Sequence, residues 1–113
     1  MLTRDLFFGM RIRNALQQMG YRTEIKKTET DFEAAASAGP AALALIDFNG
    51  EVDWAWIERT LSSNPGLPII AFGAHTDTQA FQRARAAGVT RVISNSAFSQ
   101  QLPDLVKRYA RQI

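Results

Sequence analysis

The chain contains no cysteine, which excludes disulfide staples, thiolate metal sites and thiol nucleophiles and fits a reducing, cytoplasmic setting. It has no apolar run near the roughly 18 residues that a membrane span requires, and no charged-then-apolar leader segment opens it. Histidine occurs once, as His75. No serine, histidine and acid can be placed together from spacing alone, so metabolic catalysis of the triad kind has no footing, and a solvated loop is the reading for His75. There is no G-x-G-x-x-G stretch, and Phe72-Gly73-Ala74 is too short a glycine signal to cradle a nucleotide. Charge of one sign is also missing: 13 basic against 11 acidic residues give +2. That balance gives no argument for nucleic acid as a partner, although the ten arginines raise the pI to about 9.4. What is present is 113 residues, 46% of them hydrophobic, the size and apolar content of one globular domain spanning 1–113.

The most informative stretch is Ala42-Leu43-Ala44-Leu45-Ile46-Asp47, an unbroken apolar run of strand length that ends on a carboxylate and is followed by Phe48-Asn49-Gly50. Such a run is a strand buried on both faces, the mark of a parallel sheet covered by helices on both sides. In open sheets of that kind, sites lie beyond the carboxyl ends of the strands. Asp47 sits there. A lone charge costs several kcal/mol to bury, so the carboxylate either points into a solvated cleft or is met by partners.

The rest of the chain alternates in the same way. Phe8, Ile12, Ala15, Leu16 and Met19 form one helical stripe closed by Gly20. Tyr21 to Lys27 alternates as a half-exposed strand. Thr30 and Glu33 have capping-box spacing ahead of a short helix with Phe32, Ala35 and Ala36 inward and Gly39-Pro40 as its stop. Trp54, Ile57 and Leu61 mark a third helix, with Asp53 as its cap and Asn64-Pro65-Gly66 as its end. Leu67 to Phe72 is a second doubly buried strand. Thr76 and Gln79 repeat the capping-box spacing before a helix with Ala80, Ala84 and Ala87 on one face and Gly88 after it. Val89 to Ile93 is a short strand, and Ser94-Asn95-Ser96 turns the chain into a last helix with Leu102, Leu105, Val106 and Tyr109 inward. A β-α unit repeated five times with right-handed crossovers predicts a doubly wound, three-layer α/β/α sandwich.

The stretches ALALID ending at Asp47, LPIIAFGAH from Leu67 to His75, and AxxAGVTRVISNSAF beginning at Ala84 resemble the receiver (CheY-like) domain of bacterial response regulators. More narrowly, the DLFFGMRI and AFGAH segments are similar to a divergent bacterial group that keeps this fold and drops much of the active site. The resemblance implies a flavodoxin-like, five-stranded parallel sheet of order 2-1-3-4-5. Only Met1 to Arg4 precede the first helix, so the first strand, which lies in the middle of that sheet, is expected to be shortened. Residues upstream of Met1, or pairing supplied by another chain, are the alternatives to a very short strand.

The same resemblance assigns the site. Asp47 falls on the phosphoacceptor. The acidic pair that holds Mg²⁺ falls on Thr3 and Arg4, with Asp5 one place late. The hydroxyl residue of the fourth strand falls on Gly73, and the lysine of the last loop on Asn95, or on Ser94 if the register slips by one. A hydroxyl and a guanidinium hold Mg²⁺ poorly, which leaves Asp5, Asp47 and Asn49 as weak metal candidates. Asp5 has an N-cap as its plainer role. Arg4 is expected to lie against Asp47 as an internal ion pair. The reading that follows is a stand-alone, non-enzymatic signalling module of the two-component or phosphorelay type. It docks on a histidine kinase, another regulator or its own twin as a homodimer, and takes no cofactor and contacts neither nucleic acid nor membrane. Arg83, Arg85, Arg91, Lys107 and Tyr109 mark the expected partner surface. The alternative is a genuine response regulator phosphorylated on Asp47, with Mg²⁺ as its cofactor. Of Trp54 and Trp56, which cannot share a helix face, one is expected in the core.

Overall fold

The computed structural model describes residues 1–112. Five helices, α1 (Leu6–Gln18), α2 (Glu29–Ser37), α3 (Trp54–Ser63), α4 (Thr78–Ala87) and α5 (Asn95–Tyr109), alternate with three strands, β1 (Ala44–Asp47), β2 (Ile69–Gly73) and β3 (Arg91–Ser94). The strands form one parallel sheet of order β1-β2-β3, with Ala44 opposite Ile69 and Ile70 opposite Arg91. The five-stranded sheet expected from sequence is therefore a three-stranded one. The receiver order survives in outline: Leu2 makes a parallel bridge to Ile46 on one side and to Lys26 on the other. The first two strands have shrunk to single residues. Asp5 already caps α1, so Leu2 makes one bridge to each side and no longer ladder, and Tyr21 to Lys27, beside so short a neighbour, finds a bridge partner only at Lys26.

Period-two alternation divides each full strand between two cores. Ala44, Ile46, Ile69 and Ala71 face α2, α3 and α4, where they meet Phe32, Trp54, Ile57, Ala84 and Ala87. Leu45, Ile70, Phe72 and Ile93 face α1 and α5, against Ile12, Leu16, Phe98, Leu102, Leu105 and Val106. Phe72 and Phe98 stack with ring centroids 4.0 Å apart, and Phe8 tilts over both. Removing each such side chain from water contributes about 1.5–3 kcal/mol. Trp54 is the core tryptophan, while Trp56 is half-buried under the Arg59 guanidinium, 4.3 Å from its ring centroid.

The helix ends follow side-chain oxygen chemistry. Asp5 and Asp53 cap α1 and α3, as their positions predicted, by accepting from the Phe8 and Trp56 amides. Two caps differ from the expected ones. Thr28 rather than Thr30 opens α2, and Asp77 rather than Thr76 opens α4, accepting from Ala80 N–H at 3.1 Å. In the second case a carboxylate next to a hydroxyl is the stronger acceptor for the orphan amides. Gly88 ends α4 with φ of 93°, a left-handed cap in which a side chain would be strained.

Candidate functional site

The carboxyl ends of the strands bring Asp47, Thr3, Asn49, Gly73 and Asn95 to one edge of the sheet. Asp47 closes β1 and is 8% exposed, so its charge must be met by partners. Neutral donors meet it. Thr3, carried there by the Leu2 bridge, is 1% exposed and donates its hydroxyl to Asp47 Oδ2 at 2.7 Å. Asn49 donates to Asp47 Oδ1 twice, from its backbone N–H at 2.9 Å and from Nδ2 at 2.6 Å. The backbone bond is an Asx turn, the local geometry that a carboxylate two residues ahead of an amide favours. Asn49 and Asn95 then exchange reciprocal amide bonds of 2.8 Å each. A continuous latch, Thr3–Asp47–Asn49–Asn95, in which uncharged donors hold one carboxylate, thus ties together the loops that follow Leu2, β1 and β3.

Two cationic expectations fail here. Arg4 does not lie against Asp47: its Nη2 meets Glu29 Oε1 at 2.9 Å and its Nη1 donates to the Glu51 carbonyl at 3.0 Å. Glu29 also accepts from the Asp53 backbone amide, so the first turn of α2 has fixed the acid that draws Arg4 outward. Asp5, the weak metal candidate, turns away to cap α1 at 3.0 Å, while its own N–H donates to Thr3 Oγ1. The set that remains around Asp47 is one carboxylate already hydrogen-bonded at both oxygens, a hydroxyl and two amides. This set does not fit Mg²⁺, which favours carboxylates with room for several waters. Among the described residues no group of three His, Asp or Glu converges anywhere.

Gly73 is occupied in a way the sequence reading missed. Asp47 pairs with Phe72, so the next residues, Phe48 and Gly73, stand opposite each other. The Phe48 ring lies over Gly73: a Cβ on Gly73 would fall inside contact distance of ring atoms Cδ1, Cε1 and Cζ, the last at 2.8 Å. Phe48 is 2% exposed and wedged between Trp54 and Phe81. The place where a hydroxyl was expected is filled by an aromatic ring. A large residue following the aspartate of one strand and a glycine closing its neighbour was the available signal.

The expected partner residues lie on three consecutive elements. Arg83 and Arg85 are exposed on α4, Arg91 is exposed at the start of β3, and on α5 Lys107 is exposed and Tyr109 half-buried. Both helices pack against β3. Sequence reasoning missed a second surface at the start of α1, where Phe7 is 85% exposed beside Leu6 and Met10. His75 is exposed in the loop after β2.

No protein-family model and no curated protein matches the chain. Solved structures do. The receiver domain of the sensor histidine kinase PA1611 from Pseudomonas aeruginosa PAO1, with magnesium coordinated in its active-site cleft, superposes with a TM-score of 0.82 at 16% identity, covering 96% of this chain and 92% of that one. The receiver domain of NtrX from Brucella abortus gives 0.79 at 16% identity over 93% and 91%. A streptococcal member of a family of redox sensors evolved from two-component response regulators gives 0.75 at 14% identity, over all of this chain and 55% of its own. The chain therefore has the fold of a response-regulator receiver domain.

Proposed function

We propose that the protein is a two-component signalling module whose phosphoacceptor position is silent and which acts by docking on another protein. The observation that carries this reading is the satisfied state of Asp47. Both carboxylate oxygens are taken by uncharged donors, the Arg4 guanidinium is committed to Glu29, and the Phe48 ring fills the space above Gly73. Phosphoryl transfer to a carboxylate needs cations that neutralise charge spreading over the equatorial oxygens. Asparagine amides and a threonine hydroxyl supply none. In this reading the chain catalyses no reaction, including its own phosphorylation, and works in a bacterial cytoplasm. Its partner is a histidine kinase, another regulator or a second copy of itself. The α4–β3–α5 face with Arg83, Arg85, Arg91, Lys107 and Tyr109 meets the partner, and the exposed Phe7 is a further patch of the kind that protein contacts cover.

The test is direct. The ¹⁵N-labelled protein is incubated with Mg²⁺ and phosphoramidate, or with Mg²⁺ and beryllofluoride, and followed by amide resonances and intact mass. Unmoved resonances at Asp47, Asn49 and Asn95 and an unchanged mass are the expected result. A phosphoryl adduct on Asp47, or saturable shifts around it, makes the protein a working phosphoacceptor.

A further inference from the structure

The chain has four asparagines, Asn14, Asn49, Asn64 and Asn95, and Asn49 stands where its own backbone can attack it. An asparagine cyclises when the backbone nitrogen of the next residue reaches its side-chain carbonyl carbon. That takes a free N–H, an uncrowded follower and a backbone outside regular structure. Asn14 lies within α1 and Asn95 in the first turn of α5, while Asn64 precedes Pro65, which has no N–H. Asn49 precedes Gly50, and both are exposed in the loop between β1 and α3. Gly50 N–H has no hydrogen-bond partner among the described residues, and nothing lies within 4 Å of the place a Cβ would take. The nucleophile is therefore available. What holds the reaction back is the latch. Asn49 Nδ2 is fixed between Asp47 Oδ1 at 2.6 Å and Asn95 Oδ1 at 2.8 Å, and Asn49 Oδ1 accepts from Asn95 Nδ2 at 2.8 Å. The amide that would swing onto Gly50 and lose its nitrogen is the one these three bonds hold.

We propose that Asn49 is a site of intramolecular deamidation, held in check by Asp47 and Asn95, and that its conversion weakens the latch for good. Gly50 N forms a bond to Asn49 Cγ and gives up its proton to water. The Cγ–Nδ2 bond breaks, and the nitrogen leaves as ammonia. Water then adds to one of the two carbonyl carbons of the succinimide ring, which opens to aspartate or isoaspartate, and no other reagent is consumed. Because the closed latch holds the amide, reaction proceeds through local opening, as hydrogen exchange does. The product reverses the contact. A donor 2.6 Å from Asp47 Oδ1 gives way to a carboxylate oxygen, so acceptor faces acceptor and two like charges meet where Asp47 is 8% exposed. Asp47 loses the shorter of its two bonds from Asn49, and Asn95 Oδ1 loses the donor it has among the described residues. Water does not restore the amide, so the converted fraction records how long the latch has stood open. The inference follows from the latch geometry and does not depend on whether Asp47 accepts phosphate.

The test ages the full chain at mildly alkaline pH, folded in buffer and unfolded in guanidinium chloride, and follows conversion at each asparagine by peptide mass mapping. In the unfolded chain Asn49 is expected to convert well ahead of the other three asparagines, and in the folded chain about tenfold more slowly or slower still. Asn95→Ala removes two of the three bonds and is expected to raise the folded-state rate about threefold or more while leaving the unfolded rate unchanged. Gly50→Ala fits the open space on a backbone without positive φ. It is expected to slow Asn49 about tenfold in both states, because its Cβ crowds the attacking nitrogen. Asn49→Asp, the product itself, is expected to raise the unfolding constant about tenfold at neutral pH. Four results overturn the proposal. They are equal rates in the folded and unfolded chain, a folded Asn95→Ala chain that converts no faster than the parent, a Gly50→Ala chain that converts as fast as the parent, and an Asn49→Asp chain within about twofold of the parent's unfolding constant. The folded-against-unfolded and Gly50→Ala comparisons decide the matter even where Asn95→Ala fails to fold.

Discussion

Replacing Gly73 with threonine puts back the hydroxyl residue that the receiver resemblance expected at the end of β2, and the surrounding geometry predicts what that costs. Gly73 has an ordinary negative φ, so the backbone accepts a side chain without strain. The conflict is with Phe48, whose ring holds the space a Cβ would take. That ring cannot swing aside, because Trp54 lies 6.0 Å from its centroid on one side and Phe81 meets it edge-on at 5.3 Å on the other. Overpacking of this kind costs about 1–3 kcal/mol. At roughly 4–5 °C per kcal/mol for a chain of this size, Tm falls by about 5–15 °C. Phe48→Ala alone removes a buried aromatic and costs about 3–5 kcal/mol. In the double variant the threonine occupies part of the vacated volume, so the combined loss is smaller than the sum by about 1–3 kcal/mol. Urea unfolding of the four proteins measures the cycle. A Gly73→Thr variant within about 0.5 kcal/mol of the parent, or a double variant that is simply additive, refutes the claim that ring and glycine share one space.

Two further predictions rest on single groups. Thr3→Val keeps the shape of a residue 1% exposed but strips Asp47 Oδ2 of its donor, and urea unfolding is expected to report a loss of about 1–3 kcal/mol, with a shift at the Asp5 amide that also used that hydroxyl. The Met1 amine is lowered from 8.0 to about 6, because burial strips water from the ammonium, with Glu24 partly opposing. The unfolded chain then holds the proton more tightly than the folded one. Stability is therefore full above about pH 8, declines as pH falls toward 6, and levels off below. Stability curves of the free-amine and N-acetylated proteins should diverge across that window and run parallel outside it.

Much of the fold was legible because its signals are local. The runs around Leu45 and Ile70 are apolar at every position, which only a strand covered on both faces tolerates, and Asp47 at the end of one of them marked the site's address. Asp5 and Asp53 were readable as caps for the same reason. What escaped depended on partners distant in sequence. The direction of Arg4 is set by Glu29, a residue whose place follows from where α2 begins, and that start was itself misread by two residues. The Phe48–Gly73 fit needed the register of β1 against β2. The Asn49–Asn95 pair needed both loops in place, since each asparagine alone reads as an ordinary turn residue. The strand count failed at the margin, where Leu2, three residues ahead of the Asp5 cap of α1, makes single bridges and no ladder.

The Thr3–Asp47–Asn49–Asn95 latch has a consequence for how the protein meets its solvent. Ion pairs weaken as dissolved electrolyte accumulates, since mobile counterions shield them over a Debye length of about 10 Å at 0.1 M. Hydrogen bonds from a hydroxyl and amides to a carboxylate that is 8% exposed offer those counterions little to shield. The join between the three loops is accordingly less sensitive to dissolved electrolyte than a join made of ion pairs, such as the half-exposed Arg4–Glu29 contact beside it.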